Sequence, residues 1–240
     1  MTIAADKTAF EKTPTEERIR VLREMLDERR SVRAYKTDQV PEQTIRDIVG
    51  LAQRTATWCN TQPWHLHITS GAGTERLRNA LYGRAEAGQS DETDIAYPRE
   101  YRGVYQDRRR ESGFALYGAL GIERGDADAR TKQMWENHRF FGAPHVAIID
   151  CEEALGTYGV MDCGGFIANF LLAAQAHGVA TIAQAALARH SVFLREYFGI
   201  GDDRVIVCGI SFGYADEGHA ANKFRLGRAD VDHAMKLVTE

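Results

Sequence analysis

TATWCNTQPWHLHI, residues 55–68, holds the change of period that decides the fold class. Its first part is polar and punctuated, ending at Pro63. From Trp64 the chain alternates, with Trp64, Leu66 and Ile68 on one face and His65 and His67 on the other, the period of a half-buried strand. Upstream the pattern is helical. Thr13, Pro14 and Glu16 form a capping-box start, Ile19, Leu22, Met25 and Leu26 mark one helix face, and Pro41 opens a second helix with Ile45, Ile48, Val49 and Ala52 in register. Downstream, residues 74–125 are polar and read as helix in pieces, with Gly71-Ala72-Gly73 as a turn. Residues 144–151 are short, apolar and β-branched, a second strand. An Ala-rich apolar helix over 159–177 ends at Gly178 as C-cap. A further helix over 186–198 precedes a strand over 204–212. The strands are few and the helices do not recur as βαβ units. The expected class is α+β, a small mostly antiparallel sheet wrapped by helices, in one domain spanning 1–240 with a flexible segment at 1–14.

Composition narrows the function classes. The 240 residues carry 30 Lys or Arg against 34 Asp or Glu, a net charge of −4, which argues against nucleic acid or an anionic membrane as partner. The apolar stretch over 166–188 is interrupted by Asn169, Gln175, His177 and Gln184, so a soluble protein is expected. The N-terminal residues lack the apolar core of a signal peptide. Cys59, Cys151, Cys163 and Cys208 are far apart with no CxxC pair, as suits free thiols in a reducing, cytoplasmic compartment.

Common catalytic signatures are missing. The chain has no GxGxxG after a strand, no GxxxxGK[ST], no GxSxG and no HExxH. His65 and His67 offer two metal donors on one strand face, but the sequence supplies no third, and no metal is expected. Cys163 and His190 read more simply as core residues than as nucleophile and base. Arg29, Arg30, Ser31 and Arg33 gather three guanidinium groups and a hydroxyl at a helix exit. They suit a phosphate, or equally an ordinary solvated helix end complementing the helix dipole. Lys223 and Arg225 form a second basic pair. The loop from Trp58 to Trp64 sets the amides Asn60 and Gln62 beside two tryptophans, mixed donors and acceptors next to stacking surface, as a flat heterocycle requires.

In order and spacing, RRSVRAY at 29–35, TATWCNTQPWHLHI at 55–68, HGVATIAQAA at 177–186, GDDRVIVCGISFGYAD at 201–216 and NKFR at 222–225 resemble the FMN-dependent nitroreductase family. Residues 101–126 and 137–150 resemble its nitrobenzoate-reductase type. The resemblance implies an intertwined homodimer with two FMN sites, each built from both subunits. It implies that Arg29, Arg30 and Ser31 hold the phosphate and ribityl groups, with Lys223 and Arg225 as a C-terminal phosphate pair. Arg33 then faces the flavin N1 and O2 edge, where a fixed cation stabilises charge that develops on reduction. Thr57, Trp58 and Cys59 belong to the loop that meets the flavin, and Asn60 and Gln62 match amides supplied by the partner subunit. Gln184, Ala185 and Ala186 match the stretch whose backbone approaches flavin N5. Two departures stand out: Ala56-Thr57 where many relatives have Pro-Ser, and Ala185 where many carry an acid.

The implied activity is NAD(P)H-dependent reduction of planar nitroaromatic acceptors by ping-pong hydride transfer, the chemistry residing on the cofactor and not on a catalytic side chain. Tyr101, Tyr105 and Phe114, in the variable helical region, are candidate pocket residues. Two alternatives remain open at this point. One is a reductive dehalogenase or ene-reductase on the same fold, and the other is a flavin-binding or sensing protein with little turnover.

Overall fold

Pro14 fixes the backbone just ahead of helix α1, Thr15–Glu28. The computed structural model describes residues 14–90 and 93–239, so Thr13 as a cap and the segment 1–13 lie outside it. Ile19, Leu22 and Leu26 on α1 are each about half exposed and only Met25 of the apolar stripe is partly buried, so most of that stripe is left open by this chain. Helix α2, Glu42–Ala52, starts behind Pro41 and buries Ile48 and Ala52.

Four strands form one antiparallel sheet: β1 (Trp64–Thr69), β2 (His145–Glu152), β3 (Ala180–Gln184) and β4 (Arg204–Gly213), ordered β1-β2-β4-β3. The register sets His65 opposite Asp150, Ile149 opposite Cys208, and Gln184 opposite Gly209. Helices cover both faces. α6, Gly156–Ala176, lies with α2 over one face, where Trp64, Ala147, Ile149, Phe166, Phe170, Ile210 and Phe212 form a core. Trp64 stacks on Phe166 at 4.7 Å between ring centroids. On the other face, Val146, Ile148, Ile182 and Ile206 pack with Leu77 and Leu81 of α3 (Gly71–Glu86), Phe140, Leu187 and Leu194 of α7 (Ser191–Phe198). The register shifts between Ile149 and Asp150, so that Val207 and Cys208 both serve the α6 side while Ile206 serves the other. The remaining helices, α4 (Val104–Ala119) and α5 (Ala127–Trp135), lie in the polar region and bury no residue fully.

Three local readings are corrected. Gly71-Ala72-Gly73 opens α3 as well as turning the chain, with Gly71 at φ +49°. The sequence reading placed no strand between Gly178 and Ala186, yet β3 occupies 180–184, its β-branched Thr181 and Ile182 fully inside the sheet. The helix expected over 186–198 is a 3-10 segment, Ala185–His190, followed by α7. The stretch Glu153–Ala176, which contains α6, is long and apolar enough to cross a membrane, but its inner face packs on the sheet's core.

Gly209 leaves room for Leu187, which pins the turn after Gln184. A Cβ at Gly209 would come within 2.4 Å of Leu187 Cδ1. Gly209→Ala is expected to lower unfolding free energy by about 1–3 kcal/mol, the usual cost of overpacking. Urea denaturation reads it, and an unchanged midpoint would show that Leu187 moves aside freely.

Candidate functional site

The segment after α1 cannot continue as helix, because Arg29 turns to extended backbone with φ −61° and ψ 126°. It runs instead along the end of the sheet. Val32 N–H donates to the Thr181 carbonyl at 3.0 Å, Lys36 N–H to Tyr214 at 2.8 Å, and Asp216 N–H back to Ala34 at 3.0 Å. These bonds lay the first basic cluster against the chain leaving β4. The side chain of Asn222, 3% exposed, closes the arrangement: its Oδ1 accepts from Arg33 N–H at 2.7 Å, and its Nδ2 donates to the carbonyls of Ala34 and Asp216, both at 2.9 Å.

The result is a cavity of about 390 Å³ whose lining includes Arg29, Arg30, Ser31, Arg33, Asn222, Arg225 and Arg228, with Asp27 as its one acidic member. Two clusters nearly the whole chain apart thus share one wall. Arg30 Nε is buried with no hydrogen-bond partner, while its terminal nitrogen pairs with the exposed Glu217. That pairing holds the Glu217 carboxyl below its ordinary range. Arg33 donates to the Ser31 carbonyl at 3.3 Å and, among the described residues, has no carboxylate partner. Burial lowers its pKa without removing its charge. A guanidinium nitrogen buried and unpaired is costly unless something accepts from it, so this cavity is chemically fitted to a phosphate-class anion. Arg225 donates to the carbonyls of Asn222 and Phe224. Lys223 is exposed and does not line the cavity.

The loop that carries Thr57, Trp58, Cys59, Asn60 and Gln62 lines no part of this cavity. It rests on α6: Trp58 N–H donates to Asp162 Oδ2 at 3.1 Å, and the Trp58 ring lies 5.3 Å from Tyr158. Cys59, Asn60 and Gln62 all have positive φ (50°, 57° and 49°), a strained run of non-glycine residues of the kind held at binding surfaces. Gln62 N–H donates to Thr57 Oγ1 at 3.3 Å, and its side chain donates to the Asn60 carbonyl at 3.2 Å. Of the loop's two tryptophans, Trp64 belongs to the core and Trp58 is 64% exposed.

At the end of β3, the Gln184 side chain is consumed internally. Its Nε2 donates to the Asn137 carbonyl at 2.9 Å, and its Oε1 accepts from Ser211 Oγ. Gln184 therefore fixes the turn that presents Ala185 and Ala186. Tyr97 Oη donates to the Ala185 carbonyl at 2.7 Å with Arg189 over its ring. Tyr101, Tyr105 and Phe114 are exposed and do not share a cavity: Tyr101 lies under Arg109, Phe114 under Arg124, and Tyr105 beside Arg228. Sequence reasoning overlooked Asn222, Glu217 and Tyr97; Asn222 had a signal, as the first residue of NKFR.

A family model described as the nitroreductase family matches residues 26–214. The chain belongs to that family. It is 37% identical over 226 residues to nitroreductase NfnB of Mycolicibacterium smegmatis, covering 93% of this chain and 95% of that protein. It is 34% identical over 214 residues to a 4-nitrobenzoate reductase of a Nocardioides species, covering 88% and 87%. The crystal structure of the M. smegmatis FMN-dependent NfnB with NADPH superposes with a TM-score of 0.87 at 35% identity, over 92% of this chain and 99% of that one. An FMN- and NADPH-dependent NfnB from a Sphingopyxis-type strain, HMH, gives 0.86 at 31%, over 91% and 99%. The α+β architecture with a small antiparallel sheet is the nitroreductase fold.

Asn222→Ala strands the Arg33 N–H and takes one of two hydrogen bonds from each of the Ala34 and Asp216 carbonyls, which keep those from Asp216 N–H and His219 N–H. The expected loss is about 1–3 kcal/mol of unfolding free energy, read by urea denaturation. A loss well under 1 kcal/mol would mean that water replaces the amide.

Proposed function

We infer that this family member is an FMN-dependent NAD(P)H oxidoreductase that reduces nitroaromatic compounds. The observation that carries the reading is the arginine-lined cavity with its unpaired Arg30 Nε, in a chain over 30% identical to nitrobenzoate-reducing and NfnB-type relatives. The residues present fit the cofactor's phosphate. Arg29, Arg30, Ser31 and Arg225 would hold it, with Lys223 as an outer cation. Arg33 would set positive charge beside the flavin's pyrimidine edge, and the turn at Ala185 and Ala186 would present backbone to its central ring. When bound, FMN supplies the hydride-accepting and hydride-donating centre.

The chain's own part is to bind, orient and exclude. Glu217 occupies Arg30 in the manner of an internal counterion that a phosphate must displace. Ala185, lacking a carboxylate, keeps the turn's contribution to main-chain groups and adds no negative charge where reduction creates it. Neither NAD(P)H nor a planar acceptor requires a separate nucleotide fold, because each need only stack on the ring in turn.

The homodimer belongs to the same proposal. Ile19, Leu22 and Leu26 on α1 are left exposed, and so are Tyr158 and Met161 on α6 and Trp58, whose ring lies against Tyr158. A second copy covering these residues would receive the Asn60 and Gln62 loop at its own flavin. Apolar patches of this kind mark association surfaces.

The decisive experiment is spectroscopic. The purified protein should be yellow with noncovalent FMN, bleach anaerobically with NADPH or NADH, and recover colour on adding 4-nitrobenzoate; bleaching without recovery would favour a sensor. Arg30→Ala should weaken FMN by about 1.5–3 kcal/mol, roughly 10–100-fold, the scale of a hydrogen bond to a charged group. Glu217→Gln should act oppositely, tightening FMN by about two- to fivefold as an exposed competitor is removed; if fluorescence titration shows no gain, Glu217 is a bystander. Met161→Glu should yield monomers with weakened FMN by sedimentation and flavin fluorescence, and a monomer with undiminished affinity would refute the shared site.

A further inference from the structure

The strand pairing supplies the third donor that the sequence lacked beside His65 and His67. Asp150 lies directly across from His65 in the β1–β2 register, on the sheet face turned away from α6, and His67 is its diagonal neighbour on that face. Three donor atoms converge. His67 Nε2 lies 2.8 Å from Asp150 Oδ2, His65 Nδ1 lies 3.2 Å from His67 Nε2, and His65 Nδ1 lies 3.6 Å from Asp150 Oδ2. Ligands bound to one zinc-like cation at its usual bond lengths, with tetrahedral angles, stand about 3.4 Å apart. We propose that His65, His67 and Asp150 form a binding site for a divalent first-row transition cation, with a fourth position open to solvent beside the exposed His65.

The surrounding groups bear this out. Asp150 is fully buried; burial alone raises its pKa, but hydrogen bonds from His67 and Arg204 hold it below the ordinary carboxylate range. Arg204 binds the other oxygen, Oδ1, leaving Oδ2 directed at the histidines and playing the orienting part that outer partners play for metal-ligating carboxylates. The positive charge of Arg204 is shared with Glu152, 3.8 Å from its Nη1, so Asp150, Glu152 and Arg204 together carry a net negative charge. Phe198, its ring 5.2 Å from His67, walls the inner side. Two imidazoles and one carboxylate select borderline cations such as Zn²⁺, Co²⁺ or Ni²⁺ over Mg²⁺ and Ca²⁺, which prefer all-oxygen shells. None of these residues lines the arginine cavity, so the site is separate from the proposed flavin site. Its effect would be mechanical: a cross-link between the edge strand β1 and its only neighbour, β2.

The test uses the tag-free holoprotein stripped with EDTA and dialysed, titrated with Co²⁺ and then with Zn²⁺. One Co²⁺ per chain should bind with visible d–d bands at wavelengths beyond the flavin absorption, Zn²⁺ should abolish them, and Zn²⁺ should raise the melting midpoint. His65→Ala, a change at an exposed position, should keep the metal-free melting midpoint and the flavin spectrum. It should also lose the bands and weaken Co²⁺ by at least about tenfold. His65→Ala binding Co²⁺ as wild type does would overturn the site, as would a wild-type protein that takes up no Co²⁺ at about tenfold molar excess over chain. Because flavin content is read in the same samples, failure of the metal site and failure of the flavin reading are distinguishable.

Discussion

One buried amide ties together the two stretches of chain that wall the arginine cavity. Asn222 satisfies the backbone of residues 33, 34 and 216 at once, and no other polar group does so for all three. The segment bearing Arg29, Arg30 and Arg33 is anchored by the buried side chains of Val32 and Tyr35 and shares little of the sheet's ladder. It touches β3 through an isolated bridge at Ser31 and the chain after β4 through another at Tyr35. Mutual repulsion among several guanidinium groups acts to push the segment and the C-terminal Arg225 apart. The amide, with the bonds at Val32, Lys36 and Asp216, works against that repulsion and keeps the arginines converged. Arg30 Nε is the one of their nitrogens left buried without a partner among the described residues.

The parts of the fold visible in the sequence are those with local punctuation. Pro14 and Pro41 mark helix starts, the alternation from Trp64 to Ile68 marks β1, and Gly178, at φ +68°, marks the end of α6. β3 escaped because its five residues lie within a mostly apolar run that continues α6 in composition, so neither period nor polarity announces it. The break into a 3-10 turn at Ala185 is likewise tertiary: Leu187 seats in the space over Gly209, a contact set by strand register and not by the run AALARH itself.

For the candidate site, residue types were legible and their relations were not. Three arginines and a serine could be read as either an anion site or a solvated helix end; the carbonyl of Thr181 and the amide of Asn222 lay that segment along the end of the sheet, a relation the sequence does not display. Lys223 and Arg225 look equivalent as a pair, yet only Arg225 faces the cavity. The two tryptophans of residues 58–64 look equivalent as stacking surface, yet alternation along β1 sends Trp64 into the core, while Trp58 sits exposed in the turn before it, against Tyr158. Likewise, Asp150 is remote from His65 in sequence and opposite it in the sheet.

The join between Arg33 and Asn222 spans 189 positions of sequence. Contacts of such separation form late, since chain entropy must be lost before they repay it. During synthesis the sheet's first two strands and α6 can assemble while the cavity is still open on one side. A nascent chain therefore has no complete arginine cradle until residues 221–228 have left the ribosome. If that cradle holds the proposed phosphate, a chain stalled before that point lacks the ligand that would stabilise it.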